Sequence, residues 1–174
     1  KAWQRDQREG VPPEGGTTGL RHEFASYFHE EVFELQNQEV RDFLVDTSIL
    51  DELSPAACAA VISNAKARNI LEQVFEGGLF LSDLDRELSR YRYHTLFREM
   101  VLGRLMRRAP ERATELHRRA STYFVETGDL SRALEHAMLC GDKIFLADQL
   151  ELLAEPMTYS GLLYRIDELA SDLL

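Results

Sequence analysis

The chain has 174 residues, of which 44% are hydrophobic and 29% are charged, a balance typical of a globular protein with a packed core. Its formal net charge is −10, from 30 acidic residues against 20 lysines and arginines. This argues against a protein that binds nucleic acid through a basic surface. No apolar run approaches the roughly 18 residues of a membrane span, and the polar stretch KAWQRDQREG lacks the apolar core of a signal peptide. We therefore expect a cytoplasmic protein without membrane contact, and the opening residue Lys1 leads us to expect a segment of a longer chain.

A linker and four helices are predicted in the first part of the chain. Residues 10–20 combine four glycines and two prolines with few apolar side chains, which predicts the linker. Ser54 and Pro55 are residue types that favour an N-cap and a first helical position. Helices are expected at about 23–36, 38–47, 55–63 and 66–76. The core-facing side chains of the first two would be Phe24, Tyr27, Phe28, Val32 and Leu35, then Val40, Phe43 and Leu44.

The period of the sequence then changes to two, which predicts a β-hairpin over residues 79–94. In its second half, RYRYH, Arg90 and Arg92 alternate with two tyrosines. A helix resumes in TLFREMVLGRLMRR, with inward positions at Leu96, Phe97, Met100, Val101 and Leu105. Helices, a hairpin and a further helix form a winged-helix-like arrangement, in which the hairpin is the wing.

After Pro110 the pattern indicates only helices, with ends expected near Gly128, Gly141 and Pro156. Their short lengths and small residues are typical of a helical-repeat array. The predicted fold class is mainly α: a winged-helix-like subdomain with one β-hairpin, followed by TPR-like antiparallel helix pairs. The predicted divisions are a linker or remnant of a preceding helical subdomain at 1–20, the winged-helix-like subdomain at 21–108, and the start of a helical sensor domain at 109–174.

No self-contained active site is indicated by the sequence. It has no phosphate-binding loop, nucleophile elbow, H-E-x-x-H pair or paired-cysteine zinc spacing. Cys58 and Cys140 lie in apolar helical patterns, so we expect buried free thiols. His136 and Cys140 are four residues apart and could offer two metal ligands, but core packing is the stronger interpretation. We expect no metal site and no catalysis in this chain.

His94 is the candidate site residue, because it stands where the second strand passes into a helix. Unpaired N–H groups and the positive end of the helix dipole favour an anion at such a position, and an imidazole there can donate to a phosphate oxygen. The alternative is that His94 only caps the helix or packs beneath the wing. Spacing alone favours this second, structural interpretation.

Several motifs instead favour the ligand-binding interpretation of His94, because they resemble those of a known family. FLVDTSILDELSPAACAAVI, ILEQVFEGGLFLSDLD and YRYHTLF occur in this order, and HRRASTYFVETGDLSRALEHAMLCGD follows. Together they resemble the MalT-like branch of the STAND ATPases, which are large ATP-dependent transcriptional activators of the LuxR type. The resemblance covers residues 21–150.

The resemblance implies that the winged-helix subdomain closes over a bound nucleotide and that His94 contacts ADP as a sensor. ATP or ADP would be a cofactor of the parent protein, a slow ATPase, and the isolated chain would bind neither. The phosphate loop, the Mg²⁺-binding acid and a C-terminal DNA-binding helix-turn-helix would lie outside this chain. Its partners would be other domains of the parent and, on activation, further copies of it. The alternative function is a helical-repeat adaptor for a protein partner, and charge disfavours a free-standing winged-helix DNA binder.

Overall fold

The computed structural model describes residues 30–78 and 80–159, without the side chains of 155–157 and 159. Residues 30–34 are helical. The elements that follow are α1 Gln38–Thr47, α2 Pro55–Ile62, α3 Ala67–Glu76, β1 Leu81–Asp85, β2 Arg90–Tyr93, α4 Thr95–Arg108, α5 Pro110–Glu126, α6 Leu130–Leu139 and α7 Lys143–Tyr159. The predicted fold class, mainly helical with one hairpin in a winged-helix-like arrangement, is confirmed. None of the helices described is both long and apolar enough to cross a membrane.

The predicted linker at 1–20, the first turns of the first predicted helix and the helical pattern predicted after residue 159 lie outside the described residues. Where the first helix is described, one core prediction is wrong. Leu35 is 83% exposed, whereas Phe33 is buried. The helical residues end at 34, and the chain turns at Leu35 toward Asn37, whose side chain caps α1 by accepting from the Val40 N–H at 2.9 Å. The side chain of Leu35 therefore lies in a turn and faces solvent.

The helices α1 to α3 begin within one residue of the predicted positions. The Ser54 hydroxyl accepts from the Ala57 N–H at 3.2 Å, and Pro55 occupies the first position of α2. The predicted inner residues of α1, namely Val40, Phe43 and Leu44, are buried. They join one hydrophobic core with side chains of α2 to α6.

The wing is a two-stranded antiparallel hairpin with a third chain segment beside it. Leu81 pairs with Tyr93 and Ser82 with Arg92, and a bulge lies between Asp83 and Asp85. On the other edge of β2, Leu53 and Tyr91 exchange two backbone hydrogen bonds of 2.8 and 2.9 Å. The wing is thereby fixed to the segment that precedes α2. Sequence reasoning did not identify this bridge.

After the wing, α5 and α6 form an antiparallel helix pair. The Ser121 hydroxyl donates to the Ala133 carbonyl at 2.8 Å, and Ala133 and Ala137 are fully buried, so the two backbones approach closely. Gly128 ends α5 with a φ of +77°, which glycine adopts without strain. The further likeness to TPR repeats stays a prediction, as do the three domain boundaries.

The predicted helix end at Pro156 is wrong, because α7 continues to Tyr159. Proline fixes φ near a helical value and removes one backbone N–H. A helix can pass through it at a cost of about 3 kcal/mol, from one lost hydrogen bond and the contact of the ring with the carbonyl four residues earlier. The sequence pattern could not separate this case from a true helix stop.

Candidate functional site

The backbone of His94 is held between the wing and α4. Its N–H donates to the Phe80 carbonyl at 2.9 Å, and its own carbonyl accepts from the Arg98 N–H at 2.9 Å. The first bond continues the hairpin and the second is the first turn of α4. The predicted position of His94, at the passage from strand to helix, is confirmed.

The His94 side chain is exposed and does not cap α4. Its Nδ1 lies 3.2 Å from the hydroxyl of Ser82 in the neighbouring strand. The imidazole makes no side-chain cap to α4 and is not buried beneath the wing, and its contact with Ser82 joins it to β1. Its Nε2 edge, on the side of the ring away from Ser82, is free to meet a ligand.

Aromatic packing under the wing fixes the base of the site. The Phe97 ring, fully buried, stacks on Phe80 with centroids 4.2 Å apart and lies 5.6 Å from the Tyr93 ring. The Tyr93 hydroxyl is 2.6 Å from the Thr47 hydroxyl of α1, and burial raises the pKa of Tyr93 above its ordinary value. His94 therefore extends outward from a rigid support.

Charged side chains alternate with the buried tyrosines along β2. Arg90 and Arg92 share the outer face with His94, since successive strand residues point to opposite sides. Glu52 hydrogen-bonds Arg90 and lies 4.0 Å from Arg92. The hydrogen bond from Arg90 holds the pKa of Glu52 below its ordinary value.

A cleft of about 370 Å³ opens where the end of β2 meets the first turns of α4. It is lined by Asp51, Arg92, Tyr93, Thr95, Arg98, Glu99 and Leu102. The Arg98 guanidinium is held by Asp51 at 2.8 Å and by the Ser48 carbonyl at 2.9 Å. Arg92 is less constrained, with its side chain 54% exposed. Beside His94 the surface thus offers one imidazole, one partly exposed guanidinium and a helix N-terminus, which suit an anionic group. Of the two carboxylates in the cleft, Asp51 is paired with Arg98 and Glu99 is exposed.

Residues 29–113 match the family model described as the MalT winged helix domain. The chain is MalT-like. It is 35% identical over 121 residues, or 70% of its length, to the HTH-type transcriptional regulator MalT of Vibrio cholerae. It is 30% identical over 152 residues, or 85% of its length, to MalT of Vibrio parahaemolyticus. The predicted resemblance to MalT is confirmed, whereas membership of the STAND and LuxR classes stays a prediction.

A relative with a different name aligns with the same MalT-like segment. The serine/threonine-protein kinase PknK of Mycobacterium tuberculosis is 33% identical over 136 residues, or 78% of this chain. The chain spans 12% of the length of PknK and 13% and 17% of the two MalT proteins. The shared segment thus occurs in large proteins with different names.

The other candidate, His136 with Cys140, is core packing in this MalT-like segment. Both side chains are buried, and the His136 ring stacks on Phe124 with centroids 5.4 Å apart. Its Nδ1 faces the Nδ1 of His117 at 2.9 Å. Among the described residues, no group of three or more His, Cys, Asp or Glu could hold a metal ion.

Two residues near the site were missed by sequence reasoning. Ser82 lies directly opposite Arg92 in the hairpin register, and Glu52 lies in the segment before α2. The alternation of β1 and β2 could have indicated Ser82, once the register was known. Glu52 carried no signal, because its contacts with β2 connect residues far apart in the sequence.

Proposed function

We propose that this chain is the nucleotide-sensing segment of a MalT-type transcriptional regulator, in which His94 contacts the phosphate of ADP. The observation that carries the proposal is the exposed imidazole at the junction of wing and helix, within a MalT winged helix domain. The segment would couple the nucleotide state to inducer sensing and to oligomerisation of the parent protein. DNA contact would belong to a helix-turn-helix elsewhere in that protein.

Electrostatics supports an anionic ligand at His94. The chain as a whole has a net charge of −10, yet the outer face of β2 presents Arg90 and Arg92 beside the imidazole. Glu52 neutralises Arg90 through a direct hydrogen bond and meets Arg92 only at 4.0 Å. Arg92 therefore keeps hydrogen-bond donors available to a phosphate.

A connection from the wing to the later helices supports the coupling. The Glu52 carboxylate that binds Arg90 of β2 also lies 3.9 Å from Arg132 of α6. Arg132 is in turn held by Asp129 at 2.6 Å. A displacement of β2 by a ligand at His94 would therefore disturb the start of α6 through one carboxylate.

The test is His94→Ala in the full-length protein that contains this chain. A hydrogen bond to a charged group contributes roughly 1.5–3 kcal/mol, which corresponds to about a ten- to hundredfold population shift. Loss of the bond should weaken the ADP-bound resting state, so inducer-independent transcription should rise and ADP should dissociate faster. A reporter assay and stopped-flow release of a fluorescent ADP analogue would measure the two effects.

The matched control is Glu87→Gln, an exposed residue in the turn at the far end of the hairpin. This variant changes a charge on the wing without touching His94, so transcription and ADP release should both match the wild type. Unchanged ADP affinity in His94→Ala would remove the sensor role. Equal effects of the two substitutions would instead indicate a general disturbance of the wing.

The alternative function is a helical-repeat adaptor for a protein partner. Two apolar side chains of α7 favour it, because Ile144 is 77% exposed and Leu152 is 57% exposed. An adaptor would lose its partner with Ile144→Asp and Leu152→Asp, whereas His94→Ala would have no effect. The nucleotide-sensing proposal expects the opposite ranking in the transcription assay.

A further inference from the structure

The hydroxyl of Ser82 meets the His94 ring at a defined point. Its Oγ lies 3.2 Å from Nδ1, and within the described residues the imidazole has no second hydrogen-bond partner. Ser82 is itself fixed, because it pairs with Arg92 in the ladder of β1 and β2. A rigid strand therefore presents the hydroxyl to a side chain that would otherwise rotate freely in solvent.

A serine hydroxyl both donates and accepts, so Ser82 can bond Nδ1 whichever way the hydrogen bond runs. In the neutral ring one nitrogen donates and the other accepts, so a ring that donates through Nε2 needs a donor at Nδ1. A serine hydroxyl supplies that donor. If the ring is protonated, Nδ1 becomes a donor and the same hydroxyl accepts from it. Ser82 therefore satisfies Nδ1 in both states and leaves Nε2–H facing away from the strand.

We propose that Ser82 is a positioning residue, which holds the His94 ring so that Nε2–H points outward to a phosphate oxygen. The proposal rests on the proposed function of His94 and adds the residue that orients it. Second hydrogen-bond partners are known to orient the histidines that bind metals, and a hydroxyl bonded to Nδ1 can orient a ring in the same way. Ser82 contacts no nucleotide in this proposal and acts only through the imidazole.

A double-mutant cycle in the full-length protein separates positioning from structural support. Ser82→Ala should weaken ADP binding about three- to tenfold, the effect of one neutral hydrogen bond. Ser82→Thr keeps a hydroxyl on a strand residue and should restore most of the affinity. In the His94→Ala background the Ser82→Ala effect should vanish, because Ser82 then has no ring to orient. Titration calorimetry with ADP measures all four proteins of the cycle.

A spectroscopic measurement tests the orientation without nucleotide. Side-chain scalar couplings of His94 in the 174-residue chain report how its χ1 rotamers are populated. The wild type should show one dominant rotamer, and Ser82→Ala should show averaging among several. Thr122→Ala is the matched control, since it removes an exposed hydroxyl that bonds only the Arg118 carbonyl on α5.

The calorimetry and the spectroscopic measurement can each contradict the inference, through different results. Unchanged rotamer populations of His94 in Ser82→Ala overturn the positioning role, whatever His94 binds. A Ser82→Ala effect on ADP affinity that persists in the His94→Ala background also overturns it, because Ser82 then acts through another route. If His94→Ala weakens ADP binding and Ser82→Ala does not, this inference is rejected and the proposed function is unaffected. No effect of His94→Ala on ADP binding rejects the proposed function itself.

Discussion

The wing and the α5–α6 pair place histidines in opposite surroundings. His94 stands on the outer face of the wing, exposed, with one hydroxyl as its neighbour. His117 and His136 face each other across the helix pair, each about 5–6% exposed, with their Nδ1 atoms 2.9 Å apart. The same residue type is thus available to a ligand in one region and is part of the core in the other.

Burial accounts for the difference in chemistry between these regions. Desolvation lowers the pKa of His117 and of His136, and the neighbouring histidine and the guanidiniums of Arg98 and Arg132 lower the pKa of His136 further. Both rings are therefore neutral at physiological pH, and one donates to the other. The two buried histidines are packing residues, whereas the exposed histidine can reach a ligand.

The largest loss of unfolding free energy should come from truncating Phe97, which supports the wing. Phe97 is fully buried and contacts Phe80, Tyr93 and Phe33 through ring centroids 4.2 to 6.5 Å apart. Phe97→Ala removes a core aromatic from the point where the wing meets α4, and such truncations cost about 3–5 kcal/mol. Urea unfolding followed by circular dichroism would measure the loss.

Leu84→Ala, on the outer face of the wing, is the comparison for the stability loss expected from Phe97→Ala. Its side chain is 42% exposed, so truncation should change the free energy of unfolding by less than about 1 kcal/mol. Similar losses from Phe97→Ala and Leu84→Ala would contradict the picture of a wing with one buried and one free face.

Acid should destabilise the α5–α6 pair. The pKa values of His117 and His136 in the folded chain lie below the ordinary 6.5, so the unfolded state binds more protons as the pH falls below about 6.5. Their contribution to stability is fully present above that pH and is lost as the pH falls toward the folded pKa values. Each histidine contributes at most about 1.4 kcal/mol per pH unit to the slope of unfolding free energy against pH. Unfolding free energies measured from pH 7 to pH 5 give this slope.

Histidine variants assign that slope to the buried pair. His136→Gln should flatten the dependence between pH 6.5 and pH 5 even though it lowers stability at pH 7. Thr122→Ala, which removes no titratable group, should leave the slope unchanged. A slope that survives in His136→Gln would assign the acid sensitivity to other groups.

The sequence predicted the elements well, because they rest on local signals. Helix caps at Ser54, the alternation in RYRYH and the glycine at 128 each act within a few residues. Contacts between distant residues were not predictable in this way. The contact between His117 and His136 depends on how α6 folds back on α5. The turn at Gly128, between these two histidines 19 residues apart, was the one sequence signal that could have indicated the contact.

The smallest effect on stability should come from His94→Ala, even though this substitution should have the clearest effect on function. The imidazole is exposed and loses one hydrogen bond of 3.2 Å, to a hydroxyl that water can satisfy. The backbone bonds of residue 94 to Phe80 and Arg98 do not involve the side chain and remain. The free energy of unfolding should therefore change by less than about 0.5 kcal/mol. Thermal and urea unfolding of the 174-residue chain measure it, and a loss above about 1 kcal/mol would show that His94 supports the wing after all. A small loss, together with raised basal transcription in the full-length protein, separates a sensing side chain from a structural one.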